Sequence, residues 1–126
     1  VTAWDYSQDA LNIATKELSK FEGRFHTARV DVTDRATLAT AGKSLSAPVD
    51  VLINNAGITR DKSFAKMNPE DWDAVINTNL TGLFNVTKAL LENFNGTTKS
   101  KRIINISSVV GLFGNFGQSN YAAAKA

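Results

Sequence analysis

The sequence predicts an α/β fold, a doubly wound domain with helices packed on a parallel sheet. Three observations predict it. Strand-like and helix-like segments alternate along all 126 residues, the pattern left by parallel strands joined through crossover helices. The segment Val49-Asp50-Val51-Leu52-Ile53 is a short, mostly apolar run of the kind that is buried within a parallel sheet. It stops abruptly at Asn54-Asn55-Ala56-Gly57, small and amide residues that suit a backbone passing close to a ligand at the carboxyl end of a strand.

Taken in order, Val1 to Trp4 reads as a strand and Ser7 as the cap of a helix with Leu11, Ile13, Ala14, Leu18 and Phe21 at roughly helical spacing. Gly23 stops that helix. Phe25 to Val32 is a second strand, and Thr33 or Asp34 caps a helix through about Ser46. Ala47-Pro48 then leads into the strand at Val49. Ile58 to Lys66 is a loop or short helical excursion. Asn68-Pro69-Glu70 starts a long helix with a cap, a first-turn proline and an acid. Its apolar residues, from Trp72 and Val75 to Leu90 and Leu91, carry it to about Phe94, and Asn95-Gly96 ends it. Arg102 to Ser107 is a further buried strand, Gly111 to Gly117 a Gly-rich loop, and a last helix begins near Gln118. No internal repeat or linker interrupts the series.

The bulk properties exclude several classes. A 43% hydrophobic content at this length suits one domain at most. No run of about 18 apolar residues and no basic-then-apolar leader is present, so neither a membrane span nor a signal peptide is expected and the protein is expected to be cytoplasmic. Without cysteine there is no disulfide framework, thiolate nucleophile or zinc-thiolate site, and no metal centre is expected. A net charge of +2, spread through helices, does not argue for nucleic acid. The local basic run Lys99-Ser100-Lys101-Arg102 reads first as a solvated loop. His26 and Met67 have no partners in sequence and read as structural.

Chemistry gathers near the end of the chain. Tyr121 and Lys125 are four residues apart on the last helix, with Ser108 thirteen residues before the tyrosine. Positions i and i+4 share a helix face. An ammonium beside a phenol favours the phenolate, so the phenol can give or take a proton near neutral pH. The same spacing also arises on ordinary surface helices, and by itself it decides nothing.

Further motifs precede it in a definite order: Asn54-Asn55-Ala56-Gly57 at a strand end, Thr78-Asn79-Leu80 in a helix, and Ile106-Ser107-Ser108 at a second strand end. Together with Tyr121-x-x-x-Lys125 they resemble the short-chain dehydrogenase/reductase family over nearly the whole chain. Asn55-Ala56-Gly57-Ile58-Thr59-Arg60-Asp61, Trp72-Asp73 and Asn115 to Tyr121 are similar to the family's reductases of 3-oxoacyl thioesters, carried on acyl carrier protein or CoA.

The resemblance implies a Rossmann-type domain and a set of roles. Tyr121 is the general acid and base, Lys125 lowers its pKa and binds the nicotinamide ribose, and Ser108 binds the substrate oxygen. Ser108 is preferred to Ser107 because the family's serine lies about a dozen residues before the tyrosine and adjacent strand side chains face opposite ways. Asn79 matches the helical asparagine of a water relay. Asn54, Ala56 and Gly57 line the adenosine side of the cofactor, and Asp31 and Val32 contact adenine. Asp5, at a strand end, would bind the adenosine ribose and repel a 2′-phosphate, favouring NAD(H), with NADP(H) the alternative.

The implied activity is reduction of a 3-oxoacyl thioester to its 3-hydroxy form. A sugar, polyol or steroid alcohol dehydrogenase is the alternative within the family, and a catalytically incomplete binding or assembly fragment the alternative outside it. Lys99, Lys101 and Arg102 could dock an acidic carrier protein, and the long helix with the Tyr121 helix implies a homotetramer or dimer. Residues 1–126 correspond to the second strand through the start of the catalytic helix, without the Gly-rich unit or the substrate lid. An excerpt of a protein of about 250 residues is therefore expected, with its sheet split in two because strand one lies between strands two and four.

Overall fold

The computed structural model describes residues 1–21, 23–95 and 100–126. Strand β1 (Thr2–Asp5) leads through α1 (Gln8–Glu17) to β2 (His26–Arg29), and α2 (Arg35–Lys43) leads to β3 (Val51–Asn54). Helices α3 (Pro69–Ile76) and α4 (Gly82–Leu90) precede β4 (Arg102–Asn105), followed by α5 (Val109–Phe113) and α6 (Ser119–Lys125). Strands β1 and β2 pair in parallel with Asp5 opposite Arg29, and β3 and β4 pair in parallel with Asn54 opposite Asn105. These are two separate two-stranded sheets among the described residues, the split expected where the second and fourth strands of a doubly wound order are not neighbours.

Local chemistry sets the helix starts. Ser7 accepts the Ala10 N–H, Asn68 accepts the Asp71 N–H, and Asp34 accepts those of Ala36 and Thr37. Each satisfies donors that the first turn leaves unpaired. Asp34, rather than Thr33, is therefore the cap of α2. The Thr37 hydroxyl, then the two amides, hold its carboxyl below the ordinary range.

One core joins the two sheets. Val30, Leu38, Ala41, Leu52, Val86 and Leu90 are buried together, drawing on the residue after β2 and on α2, β3 and α4. Polar ties reinforce the contact. Asn85 of α4 donates to the Val32 carbonyl at 3.2 Å and accepts from Arg35 at 3.0 Å, while Asn93 donates to the Gly42 carbonyl at 3.0 Å.

Three features depart from the sequence reading. The helix expected over residues 69–94 is continuous but widens to a π turn at Asn77–Thr81 and tightens to 3-10 at Leu91–Phe94. The wide turn aims Asn79 inward at the loop after β3. The expected Gly-rich loop begins as a helix, α5, capped by Ser108 and ended by Gly114 at φ 72°. Neither strand expected to be buried is fully so: in β3 Leu52 is 9% exposed whereas Val51 and Ile53 are 52% and 58% exposed, and in β4 Ile103 and Ile104 are 46% and 43% exposed. Helix α4 packs on β3 from one side, and no described element covers the other. The expected turn residue Gly96 lies outside the described residues.

Leu38 has no exposed surface and sits where α2 meets α4. Replacing it by alanine in the full-length protein is expected to cost about 2.5–5 kcal/mol. Urea unfolding would show this as a lowered midpoint, and an unchanged midpoint would mean that the core lies elsewhere.

Candidate active site

A cleft of 290 Å³ opens at the carboxyl ends of β3 and β4, where open α/β sheets place their ligands. Asn55, Gly57, Ile58 and Thr59 form one wall, and Ile106 and Ser107 the other, with Tyr121 and Lys125 of α6 reaching in. A larger hollow of 450 Å³ runs along β2 and α2. Its lining of alanines, threonines, Ser44, Val30 and Arg29 holds no proton-transfer group of ordinary range.

The i, i+4 pair is brought together as its spacing requires: Lys125 Nζ lies 6.0 Å from the centre of the Tyr121 ring. The ammonium donates to the Ile106 carbonyl at 2.7 Å, and Lys125 is only 9% exposed. Burial pushes its pKa below the ordinary lysine value, because desolvation disfavours the charged form.

The two serines are used differently. Ser107 Oγ donates to the Lys125 carbonyl at 2.6 Å. Ser108 Oγ accepts the Val110 N–H at 3.2 Å as the cap of α5. A hydroxyl that accepts still has its own hydrogen to donate. Ser108 therefore keeps a free proton while that of Ser107 is committed. Ser108 itself is half-buried, and of the two serines it is Ser107, not Ser108, that lines the cleft.

Asn79 is 3% exposed, which rules out a surface amide. Its Oδ1 accepts the Ile58 N–H at 2.8 Å and its Nδ2 donates to the Ile58 carbonyl at 2.9 Å. Gly57 is pressed against it, since a Cβ there would lie 3.2 Å from Asn79 Oδ1. Asn54 turns into the fold, donating to Thr87 at 3.1 Å and Asn105 at 2.9 Å, while its neighbour Asn55 lines the cleft. Ala56 is exposed beside them.

The predicted adenosine-side residues Asp5, at the end of β1, and Asp31 and Val32, in the turn after β2, are not among the residues lining this cleft. Asp5 is exposed at the end of β1, its Oδ1 accepting the Ser7 N–H at 2.7 Å. Asp31 accepts from the backbone and hydroxyl of Thr33 at 2.8 and 2.7 Å. Val32 packs against the core. Of the basic run, Lys101 pairs with Asp50 at 3.0 Å and Arg102 donates to the Lys101 carbonyl at 2.9 Å. Lys99 lies outside the described residues.

Sequence reasoning missed Asn120, which has no exposed surface. Its Nδ2 donates to the carbonyls of Arg60 and Asp71, both at 3.1 Å, and its Oδ1 accepts the Tyr121 N–H at 2.8 Å. One amide thus ties the cleft loop and α3 to the residue bearing the phenol. An asparagine in a first helical turn, where its intrinsic propensity is poor, is the signal that could have found it. Arg29 was also missed. Strand register sets it opposite Asp5, with Nε on the Tyr6 carbonyl at 3.0 Å and its guanidinium 5.4 Å from the Tyr6 ring centre.

Comparison with known proteins shows what the chain is similar to. A family model described as short chain dehydrogenase matches residues 1–126. The 3-oxoacyl-[acyl-carrier-protein] reductase FabG of Thermotoga maritima is 44% identical over all of this chain and 52% of its own length. Nodulation protein G of Azospirillum brasilense is 48% identical over 98% of this chain and 47% of its own. An acetoacetyl-CoA reductase of Cupriavidus necator is 61% identical over 67% of this chain and 34% of its own. The chain spans about half the length of the curated relatives that it matches end to end. No helix among the described residues is long and apolar enough to cross a membrane.

Burial of Lys125 makes a testable statement about stability. Its folded pKa is lowered from 10.5, so between the lowered value and 10.5 the unfolded chain binds more protons and stability rises with pH. Urea midpoints of the full-length protein and its Lys125→Met variant, measured from pH 7 to 10, are expected to shift in favour of the wild type as pH rises. Parallel profiles would show that the ammonium is not desolvated.

Proposed function

The chain belongs to the short chain dehydrogenase family, and from that premise we propose that the full-length protein is a nicotinamide-dependent reductase of 3-oxoacyl thioesters. The observation that carries the reading is the buried Lys125 ammonium, fixed on Ile106 beside the Tyr121 ring within one cleft. A phenol with a cation alongside is a proton donor for a carbonyl oxygen. The names of the relatives from Thermotoga maritima and Cupriavidus necator support the thioester class.

The residues present fit a dinucleotide. Gly57 lines the cleft at the β3 end, where Asn79 leaves little room for a side chain, and Asp5 offers an exposed carboxylate at the end of β1. When bound, the nicotinamide supplies the hydride. Tyr121 gives its proton to the substrate oxygen, which becomes the 3-hydroxyl, and takes one back in the reverse direction. Ser108 donates its remaining hydrogen to the same oxygen and stabilises charge developing there. Lys125 holds positive charge next to the phenol and the cofactor ribose. Asn79 fixes the loop at Ile58, past which a proton relay from Lys125 to solvent would run.

Asp5 favours NAD(H), because a carboxylate binds the ribose hydroxyls and repels a 2′-phosphate. Ala56, Asp31 and Val32 are proposed for the adenosine half, and Asn54 for positioning the β3 end that it crosslinks. Lys101 and Arg102 are proposed to meet an acidic carrier protein. The exposed Leu80, Phe84 and Leu91 of the long helix support its use as a subunit interface in a dimer or tetramer.

Two experiments on the full-length protein test this reading. With acetoacetyl-CoA, Tyr121→Phe is expected to lower kcat by about 10²–10⁴ and Ser108→Ala by about 10² or more, each far beyond Ser107→Ala. Equal losses at the two serines would reverse their assignment, and turnover of sugars or secondary alcohols in place of the thioester would reassign the substrate. Turnover with NADH is expected to exceed that with NADPH. A strong preference for NADPH would defeat the Asp5 argument and point to Arg29 as the group that reads the ribose.

A further inference from the structure

We propose that Ser107 and Gly111 are positioning residues for Lys125, an inference that rests on the role given to Lys125 above. The end of β4 holds this lysine at two points. Ile106 takes the ammonium on its carbonyl at 2.7 Å, and Ser107 donates its hydroxyl to the lysine's own carbonyl at 2.6 Å. Both ends of a flexible four-carbon stem are thereby referred to the same two residues. A lysine side chain free to rotate carries large rotamer entropy. Fixing its backbone and its head on one strand end leaves the ammonium few positions other than beside Tyr121.

Gly111 makes this approach possible. A Cβ on Gly111 would lie 2.3 Å from the Lys125 carbonyl oxygen and 2.5 Å from its carbon. Both atoms are backbone, so an added methyl could be accommodated only by moving α5 and the end of α6 apart, which would shift Lys125 relative to the residues after β4. The backbone at Gly111 is ordinary helix. The glycine is needed for space and not for an unusual dihedral. A serine that looks like a spare copy of Ser108 and a glycine that looks like part of a loop therefore serve one contact.

The test uses full-length protein carrying Ser107→Ala, Ser107→Thr or Gly111→Ala, with two readouts. The first is steady-state reduction of acetoacetyl-CoA. The second is the rate of reductive methylation of Lys125 by formaldehyde and cyanoborohydride, followed by mass spectrometry, which needs no turnover. Ser107→Ala is expected to lower kcat about fivefold, the size that one hydrogen bond carries, with KM little changed and Lys125 methylated faster. Ser107→Thr, which keeps the hydroxyl, is expected to restore both. Gly111→Ala is expected to exceed Ser107→Ala in both if it folds, and the serine pair decides the matter if it does not. Unchanged methylation in Ser107→Ala, with or without a loss of kcat, would overturn the proposal. Absence of turnover by the wild type on any carbonyl would instead sink the functional reading, and the methylation rates would still decide the contact.

Discussion

A buried primary amide has a nitrogen and an oxygen that must each find a partner, because leaving either unpaired costs more than the bonds return. Three buried asparagines impose that constraint here. Asn85 joins α4 to the turn after β2, Asn79 joins the π turn to the loop after β3, and Asn120 joins that loop and α3 to α6. None of these bonds lies within a helix or ladder. Each clamps an irregular segment, which has no hydrogen-bond pattern of its own, onto a rigid element. The cleft consists largely of such segments, so its shape follows from where these amides are satisfied.

The π turn at Asn77–Thr81 is the conformational counterpart. A regular α-helix could carry the apolar stripe of residues 69–94 just as well. Widening one turn sends Asn79 to both main-chain groups of Ile58 and leaves Gly82 tight against Val32, where a Cβ would lie 2.7 Å from a valine methyl. Wide turns of this kind recur at functional sites. Here the distorted turn sits directly behind the cleft wall, so local irregularity and site geometry have one cause.

What the sequence made legible was whatever depends on near neighbours. The caps at Ser7, Asp34 and Asn68 follow from residue type and position, and Tyr121 and Lys125 meet because four residues make about one helical turn. Ordered motifs carried the family resemblance and with it Ser108 and Asn79. What stayed hidden depends on distant partners. Asn120 bonds to Arg60, sixty residues away, and nothing beside it in the chain announces that contact. Arg29 reaches the Asp5 end of β1 only through strand register. Gly111 reads as a loop breaker until α6 is placed against it. Asn54 and Asn55 are indistinguishable in sequence, and only the alternation of a strand end decides which lines the cleft.

The partner of Lys125 also explains why a buried charge is kept at the site. A carboxylate beside the ammonium would stabilise it more strongly, yet no described residue forms an ion pair with it, and it donates instead to the Ile106 carbonyl. The two choices differ in the field they leave behind. A carboxylate would neutralise the ammonium, whose Nζ lies 6.0 Å from the Tyr121 ring centre. A carbonyl dipole fixes the ammonium in place while leaving its net charge directed into the cleft, at the cost of the desolvation that lowers its pKa. On the function proposed above, this desolvation cost keeps an unneutralised ammonium beside the Tyr121 ring, and proton transfer to a substrate oxygen would draw on that charge.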